Sequence, residues 1–388
     1  MILRGCDLFL RLLTPKIPIL HCFMLKKAFF GLLHTLGYYS RYTSVLHHPG
    51  KQVLIPSYVL DFDEEEKAFL EDSARSFNYA IDYSLGYRQK EQYLIQLQDV
   101  EVLGNSGAVV LDGKIVVESV GEVSRLAKSD AFKEVSLLLP NQKKGRYTSV
   151  LFLPWAENNN YHWFFDCLPR LYLVLEHSQE PIRVIMRRDM AAYQLDTLQF
   201  ILKDYPQAEV VYIGKHEIWR VEDFVLSSFV ANAQSGYLPR EIADWLRHKV
   251  WQGYGVQQSN RKRRVYISRA KAKTRRVLNE QELLPLLDRF GFEVVRAEEL
   301  TYQQQVQLFY EAEAVIAPHG AGLTNLLFSE QCQVLEFHPA NLIKTHYFLL
   351  CKALGFRYRA VVGTTGDKLE NYIVPVQEVE AWLEGIRA

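Results

Sequence analysis

Several common signatures are missing from the sequence. Within residues 1–51, the most lipid-like part, no uncharged run approaches the roughly 18–20 residues a spanning helix requires, and Pro15 and Pro18 interrupt it. A small-residue signal-cleavage site is also missing there. The chain has no net charge, with 45 Lys and Arg against 45 Asp and Glu, so its overall balance does not point to nucleic acid. The five cysteines (Cys6, Cys22, Cys167, Cys332, Cys351) are scattered, odd in number and free of CxxC spacing. That argues against a disulfide framework or zinc knuckle and for a reducing compartment. Neither GxGxxG nor GxxxxGK[ST] occurs, which counts against a dinucleotide-dependent oxidoreductase.

What is present suits a two-domain protein: 388 residues, 48% hydrophobic and 13% aromatic. Residues 1–51 carry seven basic side chains against one acid, Asp7, interleaved with Leu and Phe. They read either as a basic amphipathic element on an anionic membrane surface or as a helix packed on the core. Asp61-Phe62-Asp63 has the form of a metal-holding Asp-x-Asp, but Glu66 three residues after Asp63 favours a capping box opening a helix. Short β-branched runs from Tyr93 to Val117 predict a small β region, with Asp112-Gly113 as a hairpin turn.

From residue 181 the pattern alternates. Strands are predicted at Ile182–Met186, Glu209–Ile213 and Phe224–Leu226, with helices at Tyr193–Leu202 and Ile242–Val250. Such alternation specifies a doubly wound sheet. GVQQSNRKRR, from Gly255, reads as a linker. Further strands are predicted at Arg264–Arg269, Phe292–Val295, Ala314–Ala317, Val334–Phe337 and Tyr358–Val362.

Three stretches carry chemistry. In AVIAPHGAGLTNLLFSEQCQVLEFHP (314–339) a buried strand ends at Pro318, and His319-Gly320-Ala321-Gly322 turns into a helix through Leu323, Thr324 and Asn325. A second strand ends with Glu336. Such a turn suits a phosphate at a helix start, though a plain βα connection is equally open. In NNNYHWFFDCLPRLYLVL (158–175), His162 and Asp166 share one helix face, for acid/base work or a structural hydrogen bond. Pro169 predicts a kink just past Asp166. The third stretch, Arg261 to Arg276, has nine basic residues and no acid. Most read as a solvated face, whereas Ser268 and Arg269 end a strand, where an arginine can fork onto phosphate oxygens. Asn279 with Glu282 makes an equally good capping box.

HGAGLTN followed by VLEFHP, with YHWFFD and the SR…RR…N string, resembles the catalytic domain of glycosyltransferase family 61 (DUF563-type). The resemblance covers roughly residues 90–365. It implies an α/β, GT-B-like fold: two Rossmann-like domains facing a cleft, here preceded by a small β-containing region. Expected boundaries are 1–51 for the leader, 52–255 for the β region and acceptor-side domain, and 256–388 for the nucleotide-sugar domain. The implied activity is inverting, metal-independent transfer from a nucleotide sugar, UDP-linked, to a glycan hydroxyl, with no cofactor. Donor-side residues are then Ser268, Arg269, Arg276, Asn279, His319, Gly320, Ala321, Gly322, Leu323, Thr324, Asn325 and Glu336, the last on the ribose hydroxyls. Asp166 is the expected base and His162 its partner, with the reverse assignment open. No metal is expected, since His319, His338 and His346 lack the i,i+4 pairing of a helical zinc site. Relatives with a spanning anchor enter the secretory lumen. This chain fits a bacterial-type, cytoplasmic enzyme of surface-polysaccharide synthesis, peripheral on the inner face of the membrane. A non-catalytic nucleotide- or glycan-binding scaffold is the alternative.

Overall fold

A computed structural model describes residues 42–76, 87–122, 125, 140–232, 235–259 and 262–386. The membrane-surface expectation for residues 1–41 lies outside them. No helix among the described residues is long and apolar enough to cross a membrane.

Sixteen strands are described: β1 (Tyr42–Thr43), β2 (Lys51–Ile55), β3 (Tyr58–Leu60), β4 (Tyr87–Gln89), β5 (Gln92–Leu103), β6 (Val109–Leu111), β7 (Lys114–Val116), β8 (Asn141–Ser149), β9 (Ile182–Met186), β10 (Ala208–Tyr212), β11 (Ile218–Ser227), β12 (Arg263–Ile267), β13 (Phe292–Val295), β14 (Ala312–Pro318), β15 (Gln333–His338) and β16 (Arg357–Val362). The chain divides into two compact units. The first comprises residues 1–56, 91–195 and 202–230, the second 57–90, 196–201 and 231–388. This division interleaves segments that the sequence pattern separates at residue 255.

The first unit is built on one mixed sheet, ordered β1-β7-β6-β5-β11-β8-β9-β10, with β2 also on β5. The strands β8 to β11 pair in parallel, whereas β5 runs antiparallel to β11 along most of its length. The β-rich stretch is therefore not a separate region. What reads as two short runs is one 12-residue strand, β5, that continues the α/β sheet. Residues 42–43 and 51 of the expected leader also lie in this sheet, in β1 and β2. The hairpin turn is as predicted, with Asp112 and Gly113 at φ 49° and 71° between β6 and β7. Taken in chain order, β10-β9-β8-β11 is the series 3-2-1-4, so the winding reverses between β8 and β11.

The second unit holds a five-stranded sheet, ordered β13-β12-β14-β15-β16, with all four pairings parallel. That is a 2-1-3-4-5 doubly wound order, with its switch point between β12 and β14. Its strands read as continuous apolar runs because both faces are covered. Tyr266, Ile316, Leu335 and Phe337 from the strands pack with Leu283 and Leu287 of the helix Glu280–Arg289 and with Tyr372, Val374, Val379 and Leu383. Each large apolar side chain fully buried this way contributes about 1.5–3 kcal/mol. In the same unit the Asp63/Glu66 capping box forms in both directions at the helix Glu64–Ser76, through Glu66 N–H to Asp63 Oδ1 and Asp63 N–H to Glu66 Oε2. Asp63 is thus a cap.

Candidate active site

In the first unit, β8 leads into a loop and then a helical segment that starts at the C-terminal end of β8, beside the switch point. Asn159 caps it, its side chain accepting from the Tyr161 N–H. Residues Asn160–His162 are α-helical, Trp163–Cys167 form a π turn, and Leu168–Glu176 resume the α-helix. The predicted kink at Pro169 is replaced by this π turn. The Leu168 N–H reaches back to the Trp163 carbonyl, so the widened register is set just before the residue that has no N–H to give. His162 Nδ1 lies 2.6 Å from Asp166 Oδ2. Asp166 is the more enclosed partner, its side chain 7% exposed against 21% for His162. The imidazole also meets the Phe152 ring edge-on, at 5.9 Å between centroids.

In the second unit the switch point gathers several of the residues singled out above. β12 ends at Ile267, just before Ser268 and Arg269, and β14 ends at Pro318, before His319 and Gly320. Gly320 is extended, so strain does not demand glycine there. Space does, because a Cβ would collide with Nη1 of Arg269. A Cβ on Gly322 would meet only Ile267, at an ordinary 3.6 Å. The helix opening at Ala321 is a 3-10 helix, Ala321–Phe328, rather than the predicted α-helix. Its Leu323, Leu326 and Leu327 are fully buried, and helix geometry leaves the Ala321 and Gly322 N–H groups without intrahelical partners.

Arg275, absent from the sequence-based set, is also here: its Nη1 donates to the His319 carbonyl at 3.2 Å. Its backbone is left-handed at φ 60°, a conformation that costs a non-glycine residue energy. Lys344, half-buried, is the third cation, its ammonium pushed down by burial and by Arg275 against the pull of Glu370 and Glu336. Burial and Arg275 likewise push the Arg269 guanidinium down, while Arg275 itself pairs with Glu370 at 3.3 Å.

The remaining expected donor residues are tied into the fold. Ser268 Oγ donates to Glu280 at 2.8 Å. Asn325 donates to Gln305 at 2.8 Å and accepts from Tyr302 at 3.1 Å. Thr324 lies 3.3 Å from the Tyr347 hydroxyl. Asn279 makes no side-chain cap to its own helix. Its amide instead donates to the Val374 carbonyl and accepts from the Val374 N–H. The Arg276 backbone donates to Asn371 and accepts from Tyr372. Together with the Arg275 N–H to Leu369 and the Leu278 N–H to Tyr372, these bonds strap the loop after β12 to residues 369–374.

Glu336 is fully buried. One oxygen takes His319 Nδ1 at 2.5 Å. The other accepts from the Tyr358 hydroxyl at 2.8 Å and faces His338 Nε2 at 3.4 Å. The Lys344 N–H points at His338 Nδ1, which assigns the His338 proton to Nε2. Both carboxylate oxygens are therefore engaged within the protein, away from the expected ribose contact. His319, Glu336 and His338 are also the one group among the described residues with metal-ligand composition, their ligand atoms within 4.8 Å of one another. Burial pushes the His319 imidazole down to about 4, against the opposing pull of Glu336. Burial would raise the Glu336 carboxyl, but His338 and His319 hold it well below its usual range.

These shifts fix a pH dependence. As pH falls below about 6.5 the unfolded chain protonates His319, while the folded unit does not until about 4. His319 therefore takes stability away from the fold between those values. Glu336 does so only at lower pH, below the usual carboxylate value of 4.5. Thermal melts are expected to drop from pH 7 to pH 5, and His319→Gln to flatten the drop. Parallel curves for the two proteins would show that His319 is not held neutral.

Residues 161–335 match the family model described as Glycosyltransferase 61. The matched segment is a little under half of the chain. The match begins at Tyr161, beside His162, and runs through the β12–β14 switch point to Leu335, beside Glu336. The matched segment thus takes in both the His162–Asp166 pair and the glycine turn. A curated relative, the EGF domain-specific O-linked N-acetylglucosamine transferase of Drosophila melanogaster, is 32% identical over 108 residues, 27% of this chain. The match spans 20% of that relative's length.

Proposed function

We propose that the protein is a glycosyltransferase that moves a sugar from a nucleotide sugar, UDP-linked, to a glycan hydroxyl with inversion. The observation that carries this is the Arg269 guanidinium packed against Gly320 at the β12/β14 switch point, with Arg275 on the same loop. Ligands of doubly wound sheets bind there, and a nucleoside diphosphate would give Arg269 a negative partner, since it has no carboxylate partner among the described residues while Arg275 pairs with Glu370. As the glycosidic bond breaks, charge grows on the departing diphosphate. Arg269, Arg275 and the Ala321 and Gly322 N–H groups are suited to stabilise it without reorganising. Glu336 acts indirectly, fixing His319 beside the diphosphate. The GT-B arrangement, the metal-independent reaction and the cytoplasmic setting in surface-polysaccharide synthesis are parts of the same proposal.

Inversion also needs a base for the acceptor proton, and the geometry favours His162 in that role over the expected Asp166. Asp166 binds Nδ1 and is the more enclosed of the two, so it orients the ring, while Nε2 of the more exposed imidazole is left to take a proton. The acceptor oxygen bonds to the sugar carbon, its proton passes to His162, and the diphosphate leaves with the electron pair of the broken bond.

The test is a hydrolysis and transfer screen of the purified protein against nucleotide sugars, with calorimetric titration of the nucleoside diphosphates. Arg269→Ala is expected to weaken diphosphate binding by about 2–5 kcal/mol. Gly320→Ala should weaken it too, since the displaced atom is the far end of a side chain and the fold can absorb the shift. Lys271→Ala should cost well under about 1 kcal/mol, because Lys271 is exposed and paired with Glu299. Equal losses at all three positions would mean a diffuse basic field. Tight binding with no transfer would leave a nucleotide-binding scaffold.

A further inference from the structure

Residues 150–158 lead from β8 to the helical segment and set aromatic rings on one flank of His162. Phe152 is fully buried, meets the imidazole edge-on and stacks on Trp155, with 4.7 Å between centroids and 16° between planes. The Arg125 guanidinium lies 4.9 Å from the centre of Phe152 and 6.0 Å from that of Trp155, so it and Phe152 stand towards the same side of the indole. The other flank is Tyr161, 5.3 Å from the imidazole and stacked on the buried Phe165 at 4.7 Å. Each flank therefore has a buried inner ring and a half-exposed outer one, Trp155 or Tyr161. A half-open indole forgoes burial worth about 25 cal/mol per Å², which a ligand with an apolar face would recover. A pyranose has one: its ring C–H groups gather on a face, while its hydroxyls point out around the rim. Binding sites join such aromatic walls to a few polar groups that fix orientation.

We propose that Trp155 is the platform for the acceptor, a pyranose that lies with its C–H face on the indole and turns a rim hydroxyl towards His162. The acceptor group is thus a sugar rather than the side chain of a serine or threonine, which has no ring face to offer the indole. Tyr161 closes the opposite flank. Trp155 binds and orients, taking no part in bond making, so the choice between His162 and Asp166 as base does not enter. This rests on the transferase reading and narrows its acceptor to a class.

The experiment uses wild type, Trp155→Leu and Trp155→Phe in the full chain. The probes are the methyl β-glycosides of glucose, galactose and N-acetylglucosamine, and a blocked serine peptide. Saturation-transfer NMR reads their contact with the protein without turnover, and transfer assays give KM and kcat for each as acceptor. Wild type is expected to saturate the ring C–H protons of at least one glycoside and to leave the peptide untouched. Trp155→Leu, which keeps apolar bulk against Phe152 but no aromatic face, should weaken that glycoside about three- to tenfold. Its KM should rise to match, with kcat, nucleoside diphosphate binding and melting temperature unchanged, and Trp155→Phe should recover most of the loss. Undiminished contact in Trp155→Leu would overturn the proposal, as would contact with the peptide alone or with no probe at all. So would a lowered melting temperature with weaker diphosphate binding in Trp155→Leu, the signs of a ring that only supports the fold. Glycosides that bind at Trp155 in a protein that transfers no sugar would instead sink the transferase reading and leave the platform standing as a sugar-binding site.

Discussion

Replacing His162 by alanine is expected to lower sugar transfer by about 10²–10⁴-fold, the range a positioned base supplies, with nucleotide binding unchanged. The side chain is partly exposed and its one strong partner is Asp166, so the fold loses little with it. Asp166→Asn should cost less than His162→Ala if the carboxylate only orients the ring, because an amide oxygen still accepts from Nδ1. Single-turnover rates with saturating donor separate this from a binding defect. If Asp166→Asn is the more damaging change while both proteins melt normally, the carboxylate is the base.

The second large effect concerns stability. Glu336→Leu removes the acceptor of His319 and of the Tyr358 hydroxyl, while His338 Nε2 keeps the Tyr358 oxygen at 3.3 Å. Each buried donor so stranded costs about 1–3 kcal/mol, so a total of about 2–6 kcal/mol is expected. A unit of this size should then melt about 4–24 °C lower. Tyr358→Phe removes one of the two bonds and should cost about half as much. Circular dichroism melts at pH 7 decide this. A Glu336→Leu protein as stable as wild type would mean that the carboxylate is not the hub of the network.

Much of this was legible in the sequence, and the rest was not for identifiable reasons. The strands of the second unit show as apolar runs because parallel strands covered on both faces need no alternation. The Asp112-Gly113 turn shows because it needs positive φ at both positions. His162 and Asp166 show because their spacing puts them on one helix face. The pairing of β5 with β11 did not show, since it joins segments more than a hundred residues apart with no local signal. Nor did the π turn or the 3-10 helix, which shift a hydrogen bond by one residue without changing which residues are apolar. Arg275 was passed over for its neighbour Arg276 because only the left-handed backbone turns it towards His319.

The strap across the loop after β12 bears on how the chain is made. Asn279 and Val374 are 95 residues apart, and Tyr372 and Val374 also belong to the core beneath the sheet. While synthesis is still short of Val374, β12 to β16 already exist, but the loop carrying Arg269 and Arg275 lacks its bonds to residues 369–374. The switch-point end of the sheet is therefore assembled last, after nearly the whole unit has left the ribosome. A nascent chain arrested before Asn371 would expose apolar strands without the strap that closes that end.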